Sequence, residues 1–228
     1  MPADQHPVLV FDVNETLSDL TPLRGRFEDV GAPAHLLPTW FAGVLRDGFA
    51  LTAAGAYADF TSVAQEGVRT LLAGLEGWTG DGEAAARHIL DGFAQLSVHP
   101  DVPDSVRKLS DAGYRLTALT NGSVALAERL LDTAGVLDRF EALSDVGGPR
   151  CWKPAPAAYH YAVERAGVRP GQALLVAVHP WDIDGARRAG LGGAWLRRGA
   201  SVYPRTMTPP SVSAQDLKEL AEVLVGDQ

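Results

Sequence analysis

The sequence predicts an α/β fold: a doubly wound, mostly parallel sheet with an all-helical segment inserted after the first strand. Three observations predict it. Unbroken apolar runs of strand length stand at 7–13 (PVLVFDV), 114–119 (YRLTAL) and 173–178 (ALLVAV), the kind of run that fits a strand buried on both faces. The runs are followed by turns and then by helical patterns, in the repeating order strand, turn, helix. Residues from about 21 to 95 break this rhythm: they hold no strand run, only helical spacing.

The first strand, 7–13, ends at an acid, Asp12. The insertion follows. In it 36–51 places Leu37, Phe41, Val44, Leu45 and Phe49 near helical spacing, and 57–72 and 83–96 read as helices as well. The sheet resumes near His99. Helices are predicted over 101–112, 124–134, 155–166 and 183–189, and a short fourth strand over 193–196. A proline-rich turn, 204–210, precedes a last amphipathic helix at 214–225. No internal repeat or low-complexity tract is present.

The chain has 228 residues and a net charge of −8, with 46% hydrophobic and 21% charged residues. That apolar share supports a folded core rather than disorder. The acidic surplus argues against a broad nucleic-acid or anionic-membrane surface, since neither polyanion gains by approaching it. A small anionic substrate needs only local positive charge and stays open. Cys151 is the single cysteine, so no internal disulfide or Cys-rich metal site can form, which fits a reducing compartment. The start MPADQHP carries no basic segment before a long apolar run, and VLVF is too short to span a membrane. The expectation is a soluble, cytoplasmic protein.

In open α/β sheets a ligand lies beyond the carboxyl ends of the strands. Four predicted strand ends carry the reactive side chains of this chain: Asp12 with Thr16, then Thr120 and Asn121, then Lys153, then His179 to Asp182. A carboxylate such as Asp12 can attack an electrophilic carbon or phosphorus and form an ester, although a lone Asp here also serves as a turn cap. Thr120-Asn121-Gly122-Ser123 forms an anion cradle at a helix start or an ordinary N-cap. Lys153, before a proline, is either a solvated turn residue or, buried near Asp12, its counter-ion. Tyr159 lies in the next helix, where plain core packing would account for it. Asp182 stands at a helix start, favoured there by the dipole in any case. His179 is a base poised near neutral pH or a hydrogen-bonded structural residue. The six His have no metal-ligand spacing, and no phosphate-binding glycine loop or nucleophile elbow occurs.

Together these motifs stand in one order. F-D-V-N-E-T-L at 11–17, L-T-N-G-S at 119–123, K-P at 153–154 with Tyr159, and W-D-I-D-G-A at 181–186 resemble the haloacid dehalogenase superfamily. The helical insertion stands where that superfamily carries its cap. The resemblance implies a Rossmann-like core over 1–18 and 97–228 and a helical cap over 19–96. Within the superfamily the match looks closest to the type II (S)-2-haloacid dehalogenases. Its phosphatase relatives carry D-x-D in the first motif and two acids in the fourth. Here Asn14 and Val178 replace one acid of each pair. Asn14 cannot relay a proton as a carboxylate does.

By this resemblance Asp12 attacks C2 of a small 2-substituted carboxylate and forms an aspartyl ester, which water hydrolyses with the help of Asp182 and Lys153. Thr16, Thr120 and Asn121 would hold carboxylates. Trp181, Phe60 and cap residues would wall an apolar pocket, with Val13, Asn14, Phe41 and Tyr159 along the substrate site. No cofactor is implied, and Mg²⁺ only under a phosphatase alternative. Related enzymes are often dimers, which leaves a homodimer open. Two departures bear on the leaving group. The family's halide-receiving Arg, expected after Trp40, is Phe41, and the fourth motif has His179 and Ala177 where Asn and Ser are usual. Arg24, Arg26, Arg46 or Arg150 would then have to substitute, or a protonated His179 would stabilise the leaving group or protonate a different one. That second course opens an alternative, hydrolysis of a non-halide C–X bond.

Overall fold

The computed structural model describes residues 6–199 and 201–226. The leader reading at 1–5, and the parts of the expected core segments at 1–5, 200 and 227–228, lie outside the described residues. Among the described residues six strands form one parallel sheet: Val8–Phe11 (β1), Leu116–Thr120 (β2), Phe140–Asp145 (β3), Ala173–Ala177 (β4), Gly192–Leu196 (β5) and Val212–Ala214 (β6). Their order is β3-β2-β1-β4-β5-β6, every neighbouring pair parallel. β1 is buried on all four residues because it pairs on both edges and is covered on both faces. The chain winds outward from β1 through β2 to β3, then crosses back to β4 on β1's other side. The switch point therefore lies between β1 and β4. Register pairs Phe11 with Val176 across that point, so Asp12 and the residues after β4 emerge at one edge.

Helices Leu23–Asp29 (α1), Leu36–Ala53 (α2), Phe60–Ala73 (α3) and Gly82–Asp91 (α4) follow β1 in the chain and precede the next strand. Val102–Asp111 (α5), Val124–Thr133 (α6), Pro156–Arg165 (α7), Pro180–Arg188 (α8) and Leu217–Gly226 (α9) follow. The starts of α3 and α4 are set by acids: the Asp59 carboxylate accepts from Ser62 N at 2.9 Å, and that of Asp81 from Glu83 N at 2.9 Å. The inserted helices leave and return through one narrow neck. There Asp19 N donates to Ser97 O and His99 N to Leu17 O, both at 2.9 Å. Inside the insert Trp40 packs edge-on against Phe27 and Phe93 and donates its indole N–H to Ala64 O at 3.0 Å, tying α2 to α3.

Several expectations need correction. β3 and β6 were not legible in the sequence. β3 is an edge strand whose residues are mostly half-buried, and β6 is three residues long, so neither presents a continuous apolar run. The helix expected from 214 starts at Leu217 because Ala214 pairs with Leu196 in the sheet. α1, also unforeseen, has no side-chain cap and is anchored by buried Leu23 and Phe27. The pattern at 83–96 splits: α4 ends at Asp91 and a tighter 3₁₀ turn, Gly92–Gln95, completes it. What resumes near His99 is α5, and the next strand waits until Leu116. The helix expected from 183 begins at Pro180, whose missing N–H costs nothing in a first turn. That earlier start carries Trp181 and Asp182 into the first turn.

Candidate active site

Asp12 follows β1 directly, with its own N–H donating to Val176 O at 3.0 Å across the switch point. Its carboxylate is almost fully buried, and both oxygens are engaged. Oδ1 accepts from Lys153 Nζ at 2.8 Å, and Oδ2 accepts from Thr16 Oγ1 at 2.7 Å. Thr16 in turn accepts from Val178 N at 3.1 Å, which pins the first loop to the end of β4. Lys153 is wholly buried. Its ammonium makes three bonds, to Asp12, to Asp182 Oδ2 at 2.6 Å and to Leu119 O at 2.9 Å, using all three of its protons. Tyr159 OH donates to Asp182 Oδ1 at 2.6 Å. Gly185, one turn on in α8, leaves the room this needs: a Cβ there would lie 2.5 Å from the Tyr159 hydroxyl.

His179 ends this chain of charges. Its Nδ1 lies 3.3 Å from Asp12 Oδ2 and its Nε2 2.9 Å from Glu15 Oε2. With a carboxylate at each ring nitrogen, both nitrogens donate, and the ring is an imidazolium. Trp181 and Phe41 flank it, with ring centroids 5.0 and 6.4 Å away. Beyond it opens a cavity of about 430 Å³, walled in part by Glu15, Phe41, His179, Arg24 and Arg197.

The electrostatics follow from burial against charge. Burial opposes ionisation of Asp12, but the Lys153 ammonium and the His179 hydrogen bond and charge outweigh it, and hold its carboxyl well below the usual range. Burial would lower Lys153, yet Asp12 and Asp182 raise it above the ordinary lysine value. Asp182 is raised, chiefly by burial, with the Asp12 charge adding to it against the pull of Lys153. Burial and Asp182 raise Tyr159, which stays a neutral donor. Burial would depress His179, but its bonds to Asp12 and Glu15 and their charges push it up to about 9. A raised folded value stabilises the fold in full below the unfolded value of 6.5 and loses that contribution as pH rises through about 9. The midpoint of urea unfolding should therefore fall between pH 6.5 and 9.5, and His179→Asn should flatten that fall.

The structure gathers Asp12, Thr16, Lys153, His179 and Asp182 within one hydrogen-bonded network. Thr120, Val13, Asn14 and Phe60 line a small void of about 20 Å³ on the other side of the first loop. Two expected ligand-binding residues have other partners. Asn121 clasps the Lys153 backbone, its Oδ1 accepting from Lys153 N at 2.8 Å and its Nδ2 donating to Lys153 O at 3.4 Å, which uses one of its two N–H donors. Tyr159 is fully buried on Asp182 and faces neither space. The expected cradle at 120–123 is also partly filled from within: Thr120 Oγ1 accepts from Gly122 N, and Asp145 accepts from Val124 N. Trp181 packs on His179 and on Phe49. Of the four candidate substitute cations, Arg24 lines the cavity, Arg26 bonds His88 O and Gln95, Arg46 pairs with Asp47, and Arg150 stacks over Tyr57.

Glu15 was missed in the sequence. Its signal was available only as an acid three residues after a candidate nucleophile, with no spacing rule to tie it to position 179. A divalent cation does not fit this donor set. The ammonium of Lys153 stands between the two carboxylates a metal would need, and position 14 offers an amide. Among the described residues no group of three His, Cys, Asp or Glu could hold a metal ion, and no helix is long and apolar enough to cross a membrane.

A family model described as haloacid dehalogenase-like hydrolase matches residues 7–190. An (S)-2-haloacid dehalogenase from Burkholderia cepacia is 27% identical over 218 residues, covering 94% of this chain and 93% of that one. A solved dehalogenase with an intermediate complex is 26% identical, with a TM-score of 0.88 over 98% of this chain and 99% of its own. The L-2-haloacid dehalogenase of Xanthobacter autotrophicus with chloropropionic acid covalently bound shares the fold, with a TM-score of 0.88, 23% identity and coverage of 98% and 100%.

Proposed function

This chain belongs to the haloacid dehalogenase-like hydrolases, and from that premise we propose that it hydrolyses small 2-substituted carboxylates through an ester on Asp12, as its (S)-2-haloacid dehalogenase relatives suggest. One observation carries the reading: a buried carboxylate held ionised by Lys153, with no second acid at position 14 to relay a proton. Such a group is built to be a nucleophile rather than an acid. An Asp12 oxygen attacks C2, the C–X bond breaks as the C–O bond forms, and the leaving group departs with the bond's electrons. Water then adds to the Asp12 carbonyl carbon, the ester C–O bond to Cγ breaks, and the 2-hydroxy acid leaves with Asp12 restored. Lys153 orients the attacking carboxylate, and Asp182 with Tyr159 fixes Lys153. In this reading the described residues of 1–18 and 97–228 form the core, 19–96 form the cap, and Phe41, Phe60 and Trp181 keep water from the first step. The substrate's carboxylate would be held beside Thr120 and Asn14.

A second leaving-group class is favoured by one observation. Where the family has a cation, Phe41 is apolar, and the cation on the cavity side of Asp12 is an imidazolium, which can give a proton. An oxygen leaving group would use that proton. The test is halide release from (S)-2-chloropropionate by protein treated with EDTA, with Asp12→Asn as the blank. Release by the wild type and a loss of at least about a thousandfold in the variant are expected. No release, or equal release by both, overturns the haloacid reading, and hydrolysis of a 2,3-epoxy acid would then identify the second.

A further inference from the structure

β5 ends at Leu196, and the two residues after it are arginines. The second, Arg198, turns back over the loop that carries the nucleophile. Its Nε and Nη2 both donate to the Thr16 carbonyl oxygen, at 3.2 and 2.9 Å, and its Nη1 donates to Asp101 Oδ1 at 3.0 Å. Asp101 is fixed in turn, since its Oδ2 accepts from Leu217 N at 2.8 Å at the start of α9. Both side chains of the pair are mostly buried, 16% and 14% exposed. A guanidinium is a planar fork whose donors have fixed directions, so a carboxylate on one arm sets where the other arms point. We propose that Arg198, anchored on Asp101, is a positioning residue for the nucleophile: it grips the Thr16 carbonyl and so aims the Asp12 carboxylate, an inference that rests on the ester reading above.

Thr16 is wholly buried, and its hydroxyl is committed on both sides. It donates to Asp12 Oδ2 at 2.7 Å and accepts from Val178 N at 3.1 Å. A hydroxyl placed in this way moves only with its backbone. That backbone belongs to a turn under strain, because the neighbouring Glu15 is a non-glycine residue at φ 62°, in the left-handed region that favours glycine. Support reaches the turn through its carbonyls. Glu15 O accepts from His99 Nε2 at 3.0 Å, Leu17 O from His99 N at 2.9 Å, and Thr16 O from Arg198. Of these donors Arg198 is the one that holds the residue touching Asp12.

Arg198 is itself built into place. It stands at φ 30°, again left-handed, and its own N–H donates to Gln215 O at 2.9 Å. Strained residues of this kind cluster at functional sites. Its charge is answered by Asp101, so what it gives Asp12 is direction rather than charge. Thr16 lines neither the 430 Å³ cavity nor the small void beside Asn14, so loosening it costs rate rather than substrate binding.

The experiment compares wild type, Arg198→Lys, Thr16→Val and the double variant in steady-state hydrolysis of (S)-2-chloropropionate. Arg198→Lys keeps a cation facing Asp101 but loses the fork. Its kcat should fall about 10–100-fold while KM moves less than about threefold. Thr16→Val has already lost the bond to Asp12, so adding Arg198→Lys to it should cost less than about twofold more. Arg198→Ala should lose more than the lysine variant. Millimolar guanidinium, which can enter by the cavity that Arg198 lines, should restore its turnover at least about fivefold, and urea should not. Should Arg198→Ala fail to fold, the lysine variant and its double decide. Unchanged kcat in Arg198→Lys, a loss confined to KM, or losses that multiply in the double variant overturn the proposal. A readout without turnover separates it from the ester reading. The Val178 amide, which donates to Thr16, should exchange its proton about tenfold faster in Arg198→Lys while the β4 amides at 174–176 hold. If the wild type releases no halide, the ester reading falls and this exchange alone decides. A speed-up at Val178 upholds the grip of Arg198 on Thr16, and equal exchange, or a speed-up shared by β4, overturns it.

Discussion

Lys153→Met should lose about 3–5 kcal/mol of folding stability near pH 7 and at least about a hundredfold in turnover. The physical reason is the fate of its partners. Removing one member of a buried ion pair leaves the others charged in a medium that solvates them poorly. Here two carboxylates, Asp12 and Asp182, would lose the one ammonium that both contact. Unable both to ionise at close range, they would share a proton, and that proton would inactivate the nucleophile for part of the time. The sign of the pH dependence is a check. A carboxylate with a raised folded value destabilises the fold above that value, and the penalty fades as pH falls through it. The deficit of Lys153→Met should therefore shrink from pH 7.5 to 5, measured by urea unfolding against the wild type at each pH. A deficit that grows on acidification would show that the loss is of packing and not of charge.

Gly48→Ala should destabilise the protein by about 1–3 kcal/mol, lowering its melting temperature by several degrees. Gly48 is a buried position of α2, and a Cβ there would lie 2.3 Å from the indole carbons of Trp152. Trp152 cannot easily retreat. Its indole N–H donates to Ala58 O, its backbone N–H to Thr52 Oγ1, and its ring stacks on Phe60. It is also the residue before Lys153, so its displacement reaches the ammonium that holds Asp12. Turnover should fall along with stability. Gly43→Ala supplies the control within the same helix: nothing lies within 4 Å of its added methyl, and a helix-interior Gly→Ala change there should be neutral or slightly stabilising. If both variants melt alike, the contact with Trp152 is not what keeps position 48 a glycine.

Much of the fold was written in local pattern. The runs that became β1, β2 and β4 were legible because strands buried on both faces need apolar residues at every position. The turns after them were legible because sharp reversals need particular residues. β3 and β6 escaped for the complementary reason: at the edge of the sheet or in three residues, burial imposes no continuous run. The candidate nucleophile was legible from its place at the end of β1, and Lys153 and Asp182 from their places in an ordered set of motifs.

What the sequence alone determined, then, is the α/β class with four of its strands, the helical insertion, and a set of candidate side chains at the strand ends. The first two follow from periodicity and strand burial, which are local, and the third from the order of the motifs. Only the tertiary structure decided how these side chains are partnered. It turned Asn121 toward the Lys153 backbone and Tyr159 toward Asp182, and it set His179 between Asp12 and Glu15. Residues 15 and 179 are 164 positions apart. Their meeting depends on β1 and β4 being neighbours in one sheet, and a hydrogen bond carries no signature in the sequence of either partner.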